Sequence, residues 1–302
     1  MFDLDMFIIA VYCLVDDYYH RLFPKGVRQR GFEPELTDQE ALTIEIVGEY
    51  LGLEGDKAIF EYFYRHYRSW FPALRDRTLL VRQWANLWRV KIIIWQAIVR
   101  DSGACYDTIQ VIDTLPLPLC RLQRAPQRSI FVGDILVEPD VGYCASKDEF
   151  YFGVKGGLRI ASNGMIVHAP LLPPRPHDSQ LTEELLVGVP PETAVLGDKA
   201  FIDQEKQEAL HKEANVFLLT PLRRNMKRTS FALPALARGI LRLIETVVSQ
   251  LTERFHVQRM RVRKGWTLVA KWYRKILAHT VCVWLNLQFG RSPLDFDGLV
   301  CV

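Results

Sequence analysis

The sequence predicts an α/β protein in which an all-helical N-terminal region precedes a mixed β-sheet flanked by helices. Apolar residues recur at helical spacing through residues 1–100. At about residue 105 the pattern changes to β-rich runs, and helices and strands then alternate. Two long helical patterns follow, at about 234–257 and 266–289. This order is typical of a sheet covered by helices.

Within the N-terminal region, residues 36–52 carry the clearest helix signal. Thr37 is followed three residues later by Glu40, as in a capping box, and apolar residues follow at helical spacing. We expect further helices at 56–71 and 79–100. The three tryptophans of the last helix fit the core of a helical bundle at least as well as they fit a DNA-reading module.

Five runs rich in β-branched and aromatic residues predict strands at 106–114, 149–161, 165–173, 193–198 and 215–222. Asn163 and Gly164 separate the second and third runs, which is a strong hairpin signal. We expect the first strand to end at Asp113, since Pro116 and Pro118 cannot donate to a ladder. Helical patterns at 179–187 and 203–214 lie between the later strands.

Charge is unevenly distributed along the chain. The net charge is +3, but residues 214–291 contain fifteen lysines and arginines against two acids, Glu245 and Glu253, a net charge of +13. The remaining residues therefore carry −10. Such asymmetry points to a polyanionic partner, most often nucleic acid. The composition, 49% hydrophobic and 24% charged, is that of a folded globular chain.

Several classes of protein are disfavoured. The six cysteines form no C-x-x-C pair, so neither a zinc site nor a disulfide framework is indicated. The longest apolar runs, at 7–15 and 91–99, are about half the length of a membrane span. The N-terminus opens with acids, unlike a secretory signal. We expect a cytoplasmic protein without a membrane partner.

Three acids are candidates for chemistry. Asp113 and Asp198 each follow an apolar strand pattern, and Glu245 borders the apolar stripe of a predicted helix. Taken singly, each is more often a turn, capping or solvated residue. Together they offer three oxygen donors that can converge, the ligand type that Mg²⁺ prefers. Two such ions suit phosphodiester chemistry, and they fit the basic surroundings.

Basic residues near these acids are candidates for contacts with DNA phosphates. They are Lys155, Lys199, Arg223, Arg224, Lys227 and Arg228.

The segments around the three acids resemble the DDE transposases of bacterial insertion sequences, specifically the insertion-sequence-982 family. The similar motifs are IDT with its following prolines, GDKAF, and IETVVSQLTERF. The resemblance extends to LTDQEALTIEIVGEYLG and DKAIFEYFYRHYRSWFP before them and to KILAHTVCVWLN after them. It implies an RNase H-like core and a divalent metal held by Asp113, Asp198 and Glu245. It also implies cleavage and joining of DNA at transposon ends.

The chain departs from related transposases around the glutamate. Where those enzymes often carry Y-x2-R-x3-E-x6-K, this sequence has Arg238, Leu241 and Thr252 in place of the Tyr, Arg and Lys. Arg242 and Arg254 are the nearest substitutes, and the resemblance makes them candidates for the same contacts with DNA phosphates. In PRPHDSQ, His177 and Asp178 also resemble a family segment, and a helix-capping role explains Asp178 equally well.

These observations lead to one functional hypothesis and two alternatives. Residues 1–100 are interpreted as a DNA-binding or assembly region, 101–292 as the catalytic domain with its basic C-terminal helices, and 293–302 as a tail. The hypothesis is a nucleoid-associated transposase that uses Mg²⁺, with Mn²⁺ as a substitute, on double-stranded transposon ends and target DNA. Pairing two ends implies a homodimer or larger assembly. The alternatives are an RNase H-like nuclease without strand transfer and an inactive DNA-binding remnant.

Overall fold

The computed structural model describes residues 2–28, 33–120, 122–123, 138–144, 147–223, 226, 230–234, 237–262 and 264–300. The chain divides into two compact units. One consists of Met1–Ile98 and Gln250–Val302, and the other is Val99–Ser249. Among the described residues, no helix combines the length and apolarity that a membrane span requires.

Helices form the first unit. They are α1 (Leu4–Leu22), α2 (Asp38–Tyr50), α3 (Gly55–His66), α4 (Arg77–Asn86), α5 (Trp88–Asp101) and α9 (Gly265–Gln288), where α5 contains the boundary with the second unit. The capping box of α2 is confirmed, because the Thr37 side chain accepts from the backbone N–H of Glu40 and the Glu40 carboxylate accepts from the N–H of Thr37 at 2.8 Å. The expected helix at 79–100 is two helices, α4 and α5. Trp84 is buried, and its indole N–H donates to the carbonyl of Ala41.

Buried ion pairs hold the last helix within this unit. Lys275 and Arg274 on α9 contact the carboxylate of Glu49 on α2, and Arg274 also contacts Asp56. A division at residue 100 would place residues 250–292 with the sheet, whereas the compact units group them with the N-terminal helices. The functional roles assigned to 1–100, 101–292 and 293–302 stay predictions.

The second unit contains a mixed sheet, as predicted. Its strands are β1 (Ile109–Cys120), β2 (Asp140–Cys144), β3 (Glu149–Ala161), β4 (Ile166–His168), β5 (Leu171–Leu172), β6 (Ala194–Leu196) and β7 (Phe217–Leu219). The order is β2-β3-β1-β6-β7, with β4 and β5 also paired with β3. Strand β1 is antiparallel to β3 and parallel to β6, which is parallel to β7.

Helical segments accompany the sheet. They are the 3₁₀ turn Asp178–Leu181 with α6 (Thr182–Leu185), then α7 (Gln204–Ala214) and α8 (Arg238–Glu253), which contains the second unit boundary. A core cluster joins sheet and helical segments, and it includes Ile112, Leu181, Leu185, Val195, Phe201 and Leu218. The fold class predicted from the sequence, with helices followed by a helix-flanked mixed sheet, is therefore confirmed.

The prediction that β1 ends at Asp113 is wrong. The strand continues to Cys120 through Pro116 and Pro118, which face Lys155 and Gly153 on β3. Gly157, two residues from Lys155, donates its N–H away from β1, to Pro170. Every second residue of β1, which includes Pro116 and Pro118, therefore has its backbone nitrogen on the side away from β3. On that side β1 pairs with β6 only as far as Val111, so the prolines cost the sheet no hydrogen bond.

The hairpin around Asn163 and Gly164 is confirmed. Gly164 adopts a φ of +84° and donates to the carbonyl of Ala161, while the Asn163 side chain accepts from the N–H of Met165. The expected strand at 165–173 is two short strands, β4 and β5, and β2 was not predicted.

Candidate active site

Two of the predicted acids occupy equivalent positions on neighbouring parallel strands. The register between β1 and β6 is Ile109 to Ala194, Gln110 to Val195 and Val111 to Leu196. Asp113 and Asp198 each lie two residues beyond the last of these pairs. Neighbouring strands are about 4.8 Å apart, so the register brings both acids to the same edge of the sheet.

The backbone explains how Asp113 is held there. Thr114 faces Gly157, whose N–H points away from β1, so the N–H of Thr114 points away from β3. On that side β6 no longer pairs with β1. The Asp113 carboxylate accepts this N–H at 2.7 Å. The N–H of Thr114, which has no partner on β6, thus orients the carboxylate of Asp113.

The electrostatics of Asp113 show that acids gather around it. Its side chain is partly exposed, yet its pKa is raised to about 7, and burial is the largest cause. The negative charges of Asp198, Asp178 and Glu245 also raise this pKa, whereas the Thr114 hydrogen bond lowers it. Because an acid resists ionisation beside other negative charges, these four carboxylates form one electrostatic cluster.

Asp198 combines a site position with a capping role. It precedes the 3₁₀ turn Lys199–Phe201, and its carboxylate accepts the N–H of Ala200 at 2.8 Å. The capping role considered from the sequence is therefore confirmed, and the same side chain also belongs to the acidic cluster. Burial raises the pKa of Asp198, and the charge of Asp178 raises it too.

Glu245 lies on α8 as the helical pattern predicts. Ile244, Val247 and Leu251 are buried, whereas Glu245 is exposed at the border of this stripe. Its charge acts on Asp113. Glu245 is therefore close enough to Asp113 for its charge to contribute to the pKa of that acid.

Asp178 is the fourth acid, and its role was not assigned from the sequence. Thr114 Oγ1 donates to its carboxylate at 2.9 Å, and Lys155 Nζ donates at 2.8 Å. The helix-capping explanation for Asp178 is wrong, because the cap is His177, whose side chain accepts from the N–H of Ser179. The motif PRPHDSQ was the signal in the sequence, but no pattern linked it to Thr114 or Lys155.

The described members of the predicted DNA-contacting set fall into three groups. Lys199, Arg223 and Arg242 are exposed in the same unit as the acids, and Arg223 donates to the carbonyl of Lys199. Lys155 is 11% exposed and paired with Asp178. Arg254 lies in the helical unit, where it contacts Asp297 and the carbonyl of Tyr50. The remaining residues, Arg224, Lys227 and Arg228, lie outside the described residues.

Comparison with known families identifies the domain that carries these acids. A model of the transposase DDE domain matches residues 103–265, more than half of the chain. The chain belongs to the transposase DDE domain family. The match includes Asp113, Asp198 and Glu245, and the helix-flanked mixed sheet is consistent with an RNase H-like core. Neither the curated proteins nor the solved structures contain a significant match.

Membership of the transposase DDE domain family carries general implications. It implies a transposase function and DNA binding. DDE transposases generally use divalent metal ions. The match is to the DDE domain, and assignment to the insertion-sequence-982 family stays a prediction.

The acidic cluster fits a divalent cation by its chemistry. It consists of carboxylate oxygens, which hard cations prefer, and the pKa values of Asp113 and Asp198 are raised by neighbouring negative charge as well as by burial. In the described part of the chain, no group of three His, Cys, Asp or Glu side chains is close enough to hold a metal ion. The acids therefore form an electrostatic cluster, and their oxygens do not lie at coordination distance of one common point.

Proposed function

We propose that this member of the family is a transposase that cleaves DNA at the ends of an insertion sequence and joins those ends to target DNA. One observation carries the proposal: Asp113 and Asp198 each lie two residues beyond the last register pair of the parallel strands β1 and β6 of the DDE domain. The negative charge of Glu245, the third acid of the motif, contributes to the raised pKa of Asp113. The resemblance to insertion-sequence-982 transposases agrees with this activity.

Asp113, Asp198 and Glu245 would hold the metal ions. Bound Mg²⁺ supplies activation of the attacking oxygen and stabilisation of the leaving oxygen, and Mn²⁺ is the expected substitute. The residues themselves provide the negative charge and the hard oxygen donors. The hydrogen bond from the N–H of Thr114 fixes one of those donors before substrate arrives.

Exposed cations near the acids would bind the DNA backbone. Lys199, Arg223 and Arg242 are exposed in the same unit, and phosphate contacts of this kind fix the register of a protein on a duplex. In this proposal two double-stranded ends are paired by a homodimer or larger assembly associated with the bacterial nucleoid. Residues 1–100 serve in DNA binding or assembly.

A strand-transfer assay tests this function. The purified full chain is incubated with a labelled, pre-cleaved duplex carrying the element's end, a supercoiled plasmid and Mg²⁺. The expected product is labelled plasmid, because the 3′-OH of the end attacks the target backbone. Asp113→Asn and Asp198→Asn should abolish joining while retaining DNA binding, since the basic residues are unchanged.

Two other outcomes would replace the proposal. Metal-dependent nicking without joined product would favour an RNase H-like nuclease. Binding of the end without nicking or joining would favour an inactive DNA-binding remnant, which the missing Tyr, Arg and Lys around Glu245 make the second candidate.

A further inference from the structure

We propose that Lys155 and Asp178 form a positioning pair for the first acid of the site and act on Asp113 through Thr114. This inference rests on the proposed function, because it assigns residues that prepare the same site. Asp178 is not treated as a member of the Asp113, Asp198 and Glu245 triad. Its proposed task is to fix the strand residue whose backbone N–H holds Asp113.

Three hydrogen bonds in series support the pair. Lys155 Nζ donates to Asp178 Oδ1 at 2.8 Å. Thr114 Oγ1 donates to the same oxygen at 2.9 Å. The backbone N–H of Thr114 donates to Asp113 Oδ1 at 2.7 Å. Thr114 is therefore held from its side chain by Asp178 and holds Asp113 from its backbone.

Sheet register brings Lys155 and Thr114 together. Thr114 faces Gly157, and Pro116 faces Lys155, so Thr114 and Lys155 are diagonal neighbours on one face of the β1–β3 pair. Lys155 Nζ also donates to the carbonyl of Pro176 at 2.8 Å. The lysine thus ties β3 to the segment that carries Asp178.

Gly157 explains why that segment can approach the sheet. A Cβ at this position would lie 2.6 Å from Leu185 Cδ2 and 2.8 Å from Leu172 Cδ1. Leu185 belongs to α6, which follows the turn containing Asp178. A side chain at Gly157 would therefore have to displace the ends of the leucine side chains that pack this segment against the sheet.

Limited exposure makes the pair a suitable anchor. Lys155 is 11% exposed and Asp178 is 23% exposed, so solvent competes less for this ion pair than for a surface pair. Threonine adds rigidity, because its branched Cβ restricts rotation about χ1. Substitution of a residue that hydrogen-bonds to a metal ligand and orients it typically lowers metal affinity or activity by about 10–100-fold.

Mn²⁺ binding by the full chain, without DNA, is the test. Thr114→Val removes the hydroxyl but keeps the branched shape and the backbone N–H, while Thr114→Ser keeps the hydroxyl and removes the methyl group. Asp178→Asn removes the charge that Lys155 pairs with. Asp140→Asn is the matched control, because Asp140 pairs with the exposed Arg175 in the same unit.

Calorimetric titration should show Mn²⁺ Kd values raised about tenfold in Thr114→Val and Asp178→Asn. Thr114→Ser and Asp140→Asn should bind as wild type does. In end cleavage with Mg²⁺, the two weakened variants should lose kcat with little change in KM for DNA, because no phosphate contact is removed. Thermal unfolding of each variant checks that it is folded. Should Asp178→Asn fail to fold, the comparison of Thr114→Val with Thr114→Ser decides the question.

The outcomes separate this inference from the proposed function. If Thr114→Val and Asp178→Asn bind Mn²⁺ with wild-type affinity while Asp113→Asn abolishes binding, the positioning role is overturned and the metal site stands. If Asp113→Asn leaves Mn²⁺ binding unchanged, the metal site itself is overturned, and the positioning role with it.

Discussion

At the scale of single residues, Asp113 is a carboxylate whose ionisation the fold opposes. Burial and three neighbouring negative charges raise its pKa to about 7, while one backbone N–H stabilises the charged form. A protein that served stability alone would gain from replacing such an acid. Its position is accounted for if a cation offsets the negative charge during function.

Asp113→Asn should therefore stabilise the metal-free protein at neutral and alkaline pH. The folded-state pKa of about 7 lies above the unfolded value of 3.8, so the cost of ionising Asp113 grows between these values and is fully present above pH 7. Because the side chain is partly exposed, we expect roughly 1–3 kcal/mol at pH 8. Urea unfolding of wild type and variant in EDTA at pH 4 and pH 8 measures the difference.

The gain should disappear at pH 4, where Asp113 is protonated in the folded protein. An equal or larger gain at pH 4 than at pH 8 would show that ionisation of Asp113 is not the cause.

Sequence reasoning found some residues of the cluster and missed others for a physical reason. Asp113 and Asp198 stood out because each follows an apolar strand pattern, and Glu245 because it borders the apolar stripe of a helix in a segment with only one other acid. Asp178 acquires its role from Thr114 and Lys155, which are distant in sequence and meet through the β1–β3 register. Such contacts have no local signature.

At the scale of elements, β1 organises the site. Its first residues pair on both sides, and beyond Val111 pairing with β6 ends while pairing with β3 continues to Cys120. That change frees the N–H of Thr114 for Asp113. The prolines were read as strand breakers because the sequence does not reveal which nitrogens face a partner strand.

Gly153→Ala should disrupt this element. A Cβ at Gly153 would lie 2.1 Å from the carbonyl oxygen of Leu117, a backbone atom that cannot rotate away. Gly153 faces Pro118 beside the irregularity between Pro118 and Cys120. We expect the free energy of unfolding to fall by about 2 kcal/mol or more, as in other overpacked positions.

The matched control is Gly239→Ala at the start of α8, where no described atom lies within 4 Å of the added Cβ. Alanine should be neutral or slightly stabilising there. Chemical denaturation of both variants gives the comparison, and equal stabilities would contradict the close approach of β1 and β3 at Gly153.

At the scale of the whole molecule, the basic segment serves two purposes. Of its fifteen lysines and arginines, Lys271, Arg274 and Lys275 contact acids within the helical unit instead of facing a partner. Their partners are Glu45, Glu49 and Asp56. The charge asymmetry seen in the sequence therefore overstates the surface charge offered to DNA, because composition does not distinguish paired from free cations.

Arg274→Met should destabilise the helical unit strongly. Arg274 is 3% exposed and contacts Glu45, Glu49 and Asp56, so its removal takes one counter-charge from three carboxylates, two of them buried. Breaking a buried pair in this way typically costs about 3–5 kcal/mol.

Arg75→Met is the control, since the ion pair of Arg75 with Glu35 is 68% exposed on both sides. Such pairs contribute about 1 kcal/mol or less. Thermal unfolding followed by circular dichroism compares the two variants, and similar losses in both would contradict the buried network.

We infer that Asp113, Asp198 and Glu245 act together on DNA through a divalent metal. Cleavage of a labelled duplex carrying the element's end, in Mg²⁺ and in EDTA, tests it most directly when wild type, Glu245→Gln and Glu253→Gln are compared. Glu253 is the matched control, because it is the other acid of the basic segment and is exposed on the same helix.

We predict Mg²⁺-dependent cleavage by wild type and Glu253→Gln, and its loss in Glu245→Gln with DNA binding retained. Cleavage by Glu245→Gln at the wild-type rate, or cleavage in EDTA, would contradict the account.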